Sequence, residues 1–264
     1  MNLWVWIIVI ALFGIGIYFF IKRITFDKKL KVERWGEIPC NTLIKKSVTI
    51  PLENNQVMQA NIYTSADFKE YLSLPLLIIA PQQNKNFIYN EYLGAAFALQ
   101  GYISLVLGYC DEYQDKPLFI RNNLNHYPKI KEFALNLPKA DKTKFALFGL
   151  DYGAEIMVRT GIIDPDVKII LAASMPRVPI ESLPSKFDGE KIRLVHCMND
   201  EIVPLSDFLD NLKVFKISEQ NYLTFQFGGH DLYCQEAAAL GFVSAMLKEA
   251  LQPKIKQVVK KEAE

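Results

Sequence analysis

Three residues of this 264-residue chain have the types and the chain order needed for hydrolysis by a covalent intermediate. Asp151 stands in Gly149-Leu150-Asp151-Tyr152-Gly153, where an apolar run passes directly into a helical pattern. A strand that turns this sharply into a helix presents the side chain at its tip, and the flanking glycines leave room where Cβ atoms would collide. Asp200 lies in Asn199-Asp200-Glu201-Ile202-Val203-Pro204, and His230 in Gly228-Gly229-His230-Asp231, each just after another apolar run. A histidine titrates near neutrality and can activate water. A carboxylate behind it fixes the ring tautomer and steadies the imidazolium. A carboxylate at the turn can attack carbon. Gly228 and Gly229 let the loop bend so that His230 points back at Asp151. Taken singly, Asp200 also reads as a turn residue before Val203-Pro204, and His230 as an ordinary loop histidine. The order Asp, Asp, His, each at the end of a predicted strand, is what argues for a site.

The elements that must position these residues are legible in the hydropathy pattern. Residues 47–52 and 59–63 alternate in character around Glu53-Asn54-Asn55 and predict an antiparallel hairpin. Continuously apolar stretches at 75–80, 102–107, 145–148, 167–172, 192–196 and 222–227 predict strands buried on both faces. Between them, helical spacing appears at 90–100 (ended by Gly101), at 121–137 with Ile130, Phe133 and Leu137 on one face, and at 153–160, 206–215 and 235–251. A hairpin followed by alternating strands and helices predicts an α/β fold: a mostly parallel, doubly wound sheet with helices on both faces. Ligands of such sheets sit outside the C-terminal strand ends, where Asp151, Asp200 and His230 fall.

The N-terminus has a different character. Residues 3–21 carry no charge and no proline, and at 1.5 Å per residue they span roughly 28 Å, about the hydrocarbon thickness of a bilayer. Trp4, Trp6 and Tyr18 lie near the ends of this run, and Lys22, Arg23, Lys28, Lys29 and Lys31 follow it. The pattern predicts a single transmembrane helix with the rest of the chain cytoplasmic. The alternative, a cleaved signal peptide, lacks both a basic leading region and a small-residue cleavage site. The expected divisions are a transmembrane helix at 3–21, a juxtamembrane linker at 22–45, an α/β domain at 46–251 and a charged tail at 252–264 whose lysines can meet anionic lipid. The net charge of +1 gives no electrostatic case for nucleic acid. Cys40, Cys110, Cys197 and Cys234 form no CxxC pair; Cys110 and Cys197 sit in apolar runs and read as buried thiols. His126 reads as a surface loop residue and His196 as a strand residue. With three histidines far apart in sequence, neither a metal nor another cofactor is expected. The expected partners are a small-molecule substrate and the membrane; the pattern says nothing of oligomeric state.

Over residues 47–250 the chain resembles the α/β-hydrolase superfamily, whose triads run in the order nucleophile, acid, histidine. Within it the chain looks like the compact dienelactone hydrolases and the catalytic domain of bile-acid-CoA:amino acid N-acyltransferases and acyl-CoA thioesterases. Gly149-Leu150-Asp151-Tyr152-Gly153-Ala154-Glu155-Ile156 is similar to the G-x-S-x-G-A-E-I of the thioesterase branch, with Asp in place of Ser. The resemblance implies a hydrolase without a cofactor, with Asp151, Asp200 and His230 as catalytic residues. It also implies an oxyanion hole made by the backbone N–H groups of Gln82 and Tyr152. Haloalkane dehalogenases and epoxide hydrolases resemble this chain in carrying Asp at the elbow, because a carboxylate forms a stable ester at an sp³ carbon. The chain departs from those families in lacking room for a cap domain between 173 and 191 and in having Tyr152 where a tryptophan is common. It also lacks a His-Gly after residue 80. The expected activity is hydrolysis of a small ester, thioester or related bond; the alternative is an inactive scaffold that kept the fold.

Overall fold

The computed structural model describes residues 13–18, 20–21, 42–66, 73–80, 88–108 and 115–251. The chain divides into two compact units, Met1–Glu37 and Ile38–Glu264. In the first, residues 13–18 and 20–21 are helical, and Phe13 and Phe20 are exposed. Among the described residues no helix is long and apolar enough to cross a membrane. Most of the predicted span 3–21, most of the predicted linker and the tail 252–264 lie outside the described residues.

The second unit is built on an eight-stranded sheet in the order β1-β2-β4-β3-β5-β6-β7-β8. β1 (Leu43–Pro51) and β2 (Val57–Ser65) form the antiparallel hairpin, closed by a short 3₁₀ turn at Glu53–Asn55. β2 pairs antiparallel with β4 (Ile103–Leu107). From β4 onward, β3 (Leu74–Ile79), β5 (Ala140–Leu150), β6 (Val167–Ala173), β7 (Ile192–Cys197) and β8 (Tyr222–Phe225) are all parallel. Leu76, Leu77, Ile78 and Ile79 are completely buried. Since successive strand residues face opposite sides, β3 must be covered on both faces, which is why its sequence is continuously apolar. The cover comes from α1 (Ile88–Leu99), α2 (Lys116–Leu135), α3 (Tyr152–Gly161), α4 (Leu205–Phe215) and α5 (Glu236–Leu251). The strand order reverses between β3 and β5, and β5 is the strand that leads into Asp151.

Chain direction also places the entry point. Leu43 pairs with Ser65 at the end of β2, and Tyr63 pairs with Ser104 at the start of β4. The chain therefore enters the sheet at the N-terminal ends of the parallel strands, opposite Asp151.

Three local expectations are corrected. His126 is buried in α2 rather than a surface loop residue. Asp115 caps that helix, accepting the Leu118 N–H at 2.9 Å, and Pro117 occupies its first turn. The helix therefore starts several residues early and turns His126 inward with Ile130. It also ends at Leu135, so Leu137 lies beyond it. The last strand stops at Phe225 rather than 227, because Gly228 takes a φ of 140° and turns the chain away. Of the cysteines read as buried, Cys197 is buried, and Cys110 lies outside the described residues.

Candidate active site

β5 and α3 meet at Asp151 in a turn with φ 54° and ψ −129°. A non-glycine residue at such a position costs on the order of 1–3 kcal/mol, so the surrounding structure must hold it. The Asp151 N–H donates to the Ala173 carbonyl at 3.0 Å, and its carbonyl accepts the Ala154 N–H at 3.0 Å. A Cβ on Gly149 would lie 2.4 Å from the Gly153 carbonyl carbon, so only glycine permits so close a return of the chain. The Asp151 carboxylate does not cap the helix that follows it. It sits instead beside the first turn of α3.

The other two residues come to the same place. The loop after β7 carries Asp200 and the loop after β8 carries His230. His230 Nδ1 lies 2.9 Å from Asp200 Oδ2, and His230 Nε2 lies 3.9 Å from Asp151 Oδ1. All three side chains are largely withdrawn from solvent, Asp200 completely. Asp200 Oδ1 also accepts the N–H groups of Ile202 and Val203, both at 2.9 Å. Burial by itself would raise the Asp200 carboxyl, but the His230 ring and these two N–H groups outweigh it and hold it below the usual carboxylate range. An ionised Asp200 favours the tautomer that donates from Nδ1–H, which turns the unprotonated Nε2 toward Asp151. Gly228 and Gly229 both take positive φ, as their places in the histidine loop require.

The predicted oxyanion donors fare differently. Tyr152 is the first residue of α3, where a backbone N–H has no partner within the helix. Gln82 lies outside the described residues.

Several neighbours carry no motif and escape sequence reasoning. Glu155, in the first turn of α3, is buried and paired with Arg159 at 3.2 Å; burial pushes its carboxyl up, against the pull of Lys116 and Arg159. Lys116 Nζ lies 4.3 Å from the centre of the Tyr152 ring, which places a cation beside the elbow. Ser174 and Asn199 hold the histidine loop, through Ser174 Oγ to the His230 carbonyl and the Gly229 N–H to Asn199 Oδ1. The one signal for Ser174 was a polar residue ending an apolar strand. Among the described residues no cluster of His, Cys, Asp or Glu is arranged to hold a metal ion.

No family model and no curated protein matches the chain. Among solved structures, 1107 chains match it, too many to select a reaction by themselves. One is the crystal structure of a protein provisionally assigned as a dienelactone hydrolase from Klebsiella pneumoniae subsp. pneumoniae MGH 78578. It is similar to this chain with a TM-score of 0.60 and 16% identity, over 80% of this chain and 100% of that one. At that identity the likeness establishes the α/β fold.

Proposed function

We propose that this chain is a hydrolase of the α/β-hydrolase type with an Asp151–Asp200–His230 triad. The observation that carries the reading is His230 bridging two carboxylates, with Nδ1 on Asp200 at 2.9 Å and Nε2 facing Asp151 at 3.9 Å. The longer separation exceeds direct hydrogen-bond reach, and a water bonded to both groups at about 2.8 Å fits between them.

The chemistry follows from the residue at the elbow. A carboxylate attacking an acyl carbon would give a mixed anhydride, whereas at an sp³ carbon it gives an ordinary ester. In the first step Asp151 Oδ1 bonds to the substrate carbon, and the leaving group departs with the electron pair of the bond that breaks. In the second step Nε2 of His230 takes a proton from water, and the hydroxide adds to the ester carbonyl of Asp151. Collapse of the adduct breaks the bond to the product oxygen, which takes the proton from the His230 imidazolium and leaves as the alcohol; the Asp151 carboxyl, now holding one oxygen from water, loses its remaining proton to solvent. The substrate class is a small molecule with an activated C–O or C–halogen bond. Ordinary esters and thioesters fit the fold but suit the carboxylate less well.

Single turnover in ¹⁸O-water tests this directly. Label is expected in the Asp151 carboxylate, and turnover that leaves the Asp151 peptide unlabelled would remove Asp151 as nucleophile. His230→Ala is expected to trap the ester, seen as a mass increase on the same peptide.

The apolar run 3–21 and the lysines that follow it support a further proposal, that the protein is anchored in a membrane with this domain in the cytoplasm. Protease added outside intact cells is then expected to spare the domain. A second functional reading, a scaffold without turnover, is favoured by the short β6–β7 connection, which holds only 3₁₀ turns at Ile180–Ser182 and Gly189–Lys191 and no cap helices. A screen over alkyl halides, epoxides, esters and thioesters that finds no turnover would select it.

A further inference from the structure

We infer that Ser174 is a positioning residue that sets the His230 ring against Asp151, acting through the backbone of the histidine loop. This inference rests on the triad proposed above and extends it to a residue with no motif.

The loop that carries His230 is an unusual piece of backbone. Gly228, Gly229, Leu232 and Cys234 all have positive φ, at 140°, 60°, 56° and 62°. Left-handed backbone is disfavoured for leucine and cysteine, so hydrogen bonds must hold this path, and within the loop Tyr233 N–H donates to the Gly228 carbonyl at 2.7 Å and Gln235 N–H to the Leu232 carbonyl at 2.8 Å. It is also tied from outside. Asn199 Oδ1 accepts the Gly229 N–H at 2.9 Å from the exposed side. From the buried side, Ser174 Oγ donates to the carbonyl of His230 itself at 2.7 Å.

Ser174 is placed to make that tie rigid. It is completely buried directly after β6, its own N–H donates to the Val195 carbonyl at 2.9 Å, and its φ is 46°. Glycine would occupy this backbone with less strain. The hydroxyl is what a glycine would lack. The preceding residue completes the geometry, because the Ala173 carbonyl accepts the Asp151 N–H at 3.0 Å. Adjacent residues at the end of one strand thus hold the backbones of both Asp151 and His230, and so fix the gap of 3.9 Å between their side chains.

The experiment compares the full-length chain with Ser174→Gly and Ser174→Ala, reading the His230 imidazole by ¹⁵N NMR; its signals are assigned by their loss in His230→Gln. Ser104→Ala, which removes a buried hydroxyl in β4, serves as the control. The ionisable neighbours Asp151, Asp200 and His196 stay the same in every variant. The wild type is expected to hold the neutral ring as the Nδ1–H tautomer. Both Ser174 variants are expected to shift the ring ¹⁵N signals away from those of the wild type, as the Nδ1–Asp200 bond loosens, while Ser104→Ala leaves the ring unchanged. Ser174→Gly is expected to melt no lower than Ser174→Ala, because it relieves the left-handed strain, yet to show the same ring change. That separates positioning from stability. Where a substrate is turned over, kcat falls roughly ten- to a hundredfold with KM little changed.

A ring signature identical to wild type in either folded variant would overturn the inference. If neither variant folds, the wild type decides: a Ser174 hydroxyl proton that exchanges slowly with solvent supports the tie, and rapid exchange sinks it. The NMR readout needs no substrate. Absence of turnover therefore defeats the proposed hydrolase without touching this inference, and turnover with unmoved ring signals in the variants defeats this inference alone.

Discussion

The two histidines His196 and His230 stand on adjacent parallel strands or just beyond them, and both feel the charge of Asp200, yet the fold puts them to opposite uses. His196 lies within β7, completely buried, with its ring stacked on Phe208 at 5.0 Å and 7° between planes. Among the described residues neither of its nitrogens has a hydrogen-bond partner. Burial pushes its pKa below the usual histidine range, so it remains a neutral, flat, nearly apolar filler. His230 follows the glycine turn directly, its Nδ1 engaged by a buried carboxylate and its Nε2 facing Asp151. Partner and direction give the second ring its proposed chemical role; the first ring is packing. Proximity to an acid alone does not make a histidine catalytic.

Exchanging the roles of the two rings gives the largest expected effect. His230→Ala is expected to lower the second-step rate by roughly 10²–10⁴, measured by single-turnover decay of the ester, with little change in melting temperature. His196→Phe is expected to leave that rate within about threefold, since the ring only packs. A comparable loss in both variants would break the contrast. Asp200→Asn sharpens it from the acid's side. The amide can hold Nδ1 in the wrong tautomer, so a loss of roughly 10²–10⁴ is expected while the His196–Phe208 stack stays in place, visible as unchanged near-UV dichroism.

Acid stability gives a smaller difference with a definite sign. The folded pKa of His196 is depressed, so the unfolded chain takes up the proton first. Its contribution is fully present above about pH 6.5 and is lost as pH falls, by up to about 1.4 kcal/mol per unit. In urea titrations between pH 5 and 7, His196→Phe is expected to flatten that slope. An unchanged slope would mean that His196 takes up its proton equally in the folded and unfolded chain. The smallest effect concerns the neighbouring thiol: burial pushes Cys197 up to about 11, so it is expected to resist alkylation at pH 7.5 in the folded protein, while exposed Cys234 reacts.

The fold was largely legible because a buried parallel strand leaves a run such as Leu76-Leu77-Ile78-Ile79 that few other structures require. Asp151, Asp200 and His230 were legible because each needs a glycine turn or an apolar strand immediately before it. Ser174 and Asn199 were not. Their contacts join residues 56 and 30 positions apart, and no local pattern encodes such a meeting. His126 was misjudged for a related reason: the facing of a helical residue depends on where the helix starts, and that start depends on the single cap Asp115.

The direction of β1 has a practical consequence. Leu43 enters the sheet at the end remote from the loops that carry Asp200 and His230, one strand length away, roughly 20 Å. A label or cross-linker attached at Leu43, the first residue of β1, is therefore held on the side of this domain away from Asp151, Asp200 and His230. Labelling there is expected to leave the proposed site open to small electrophiles.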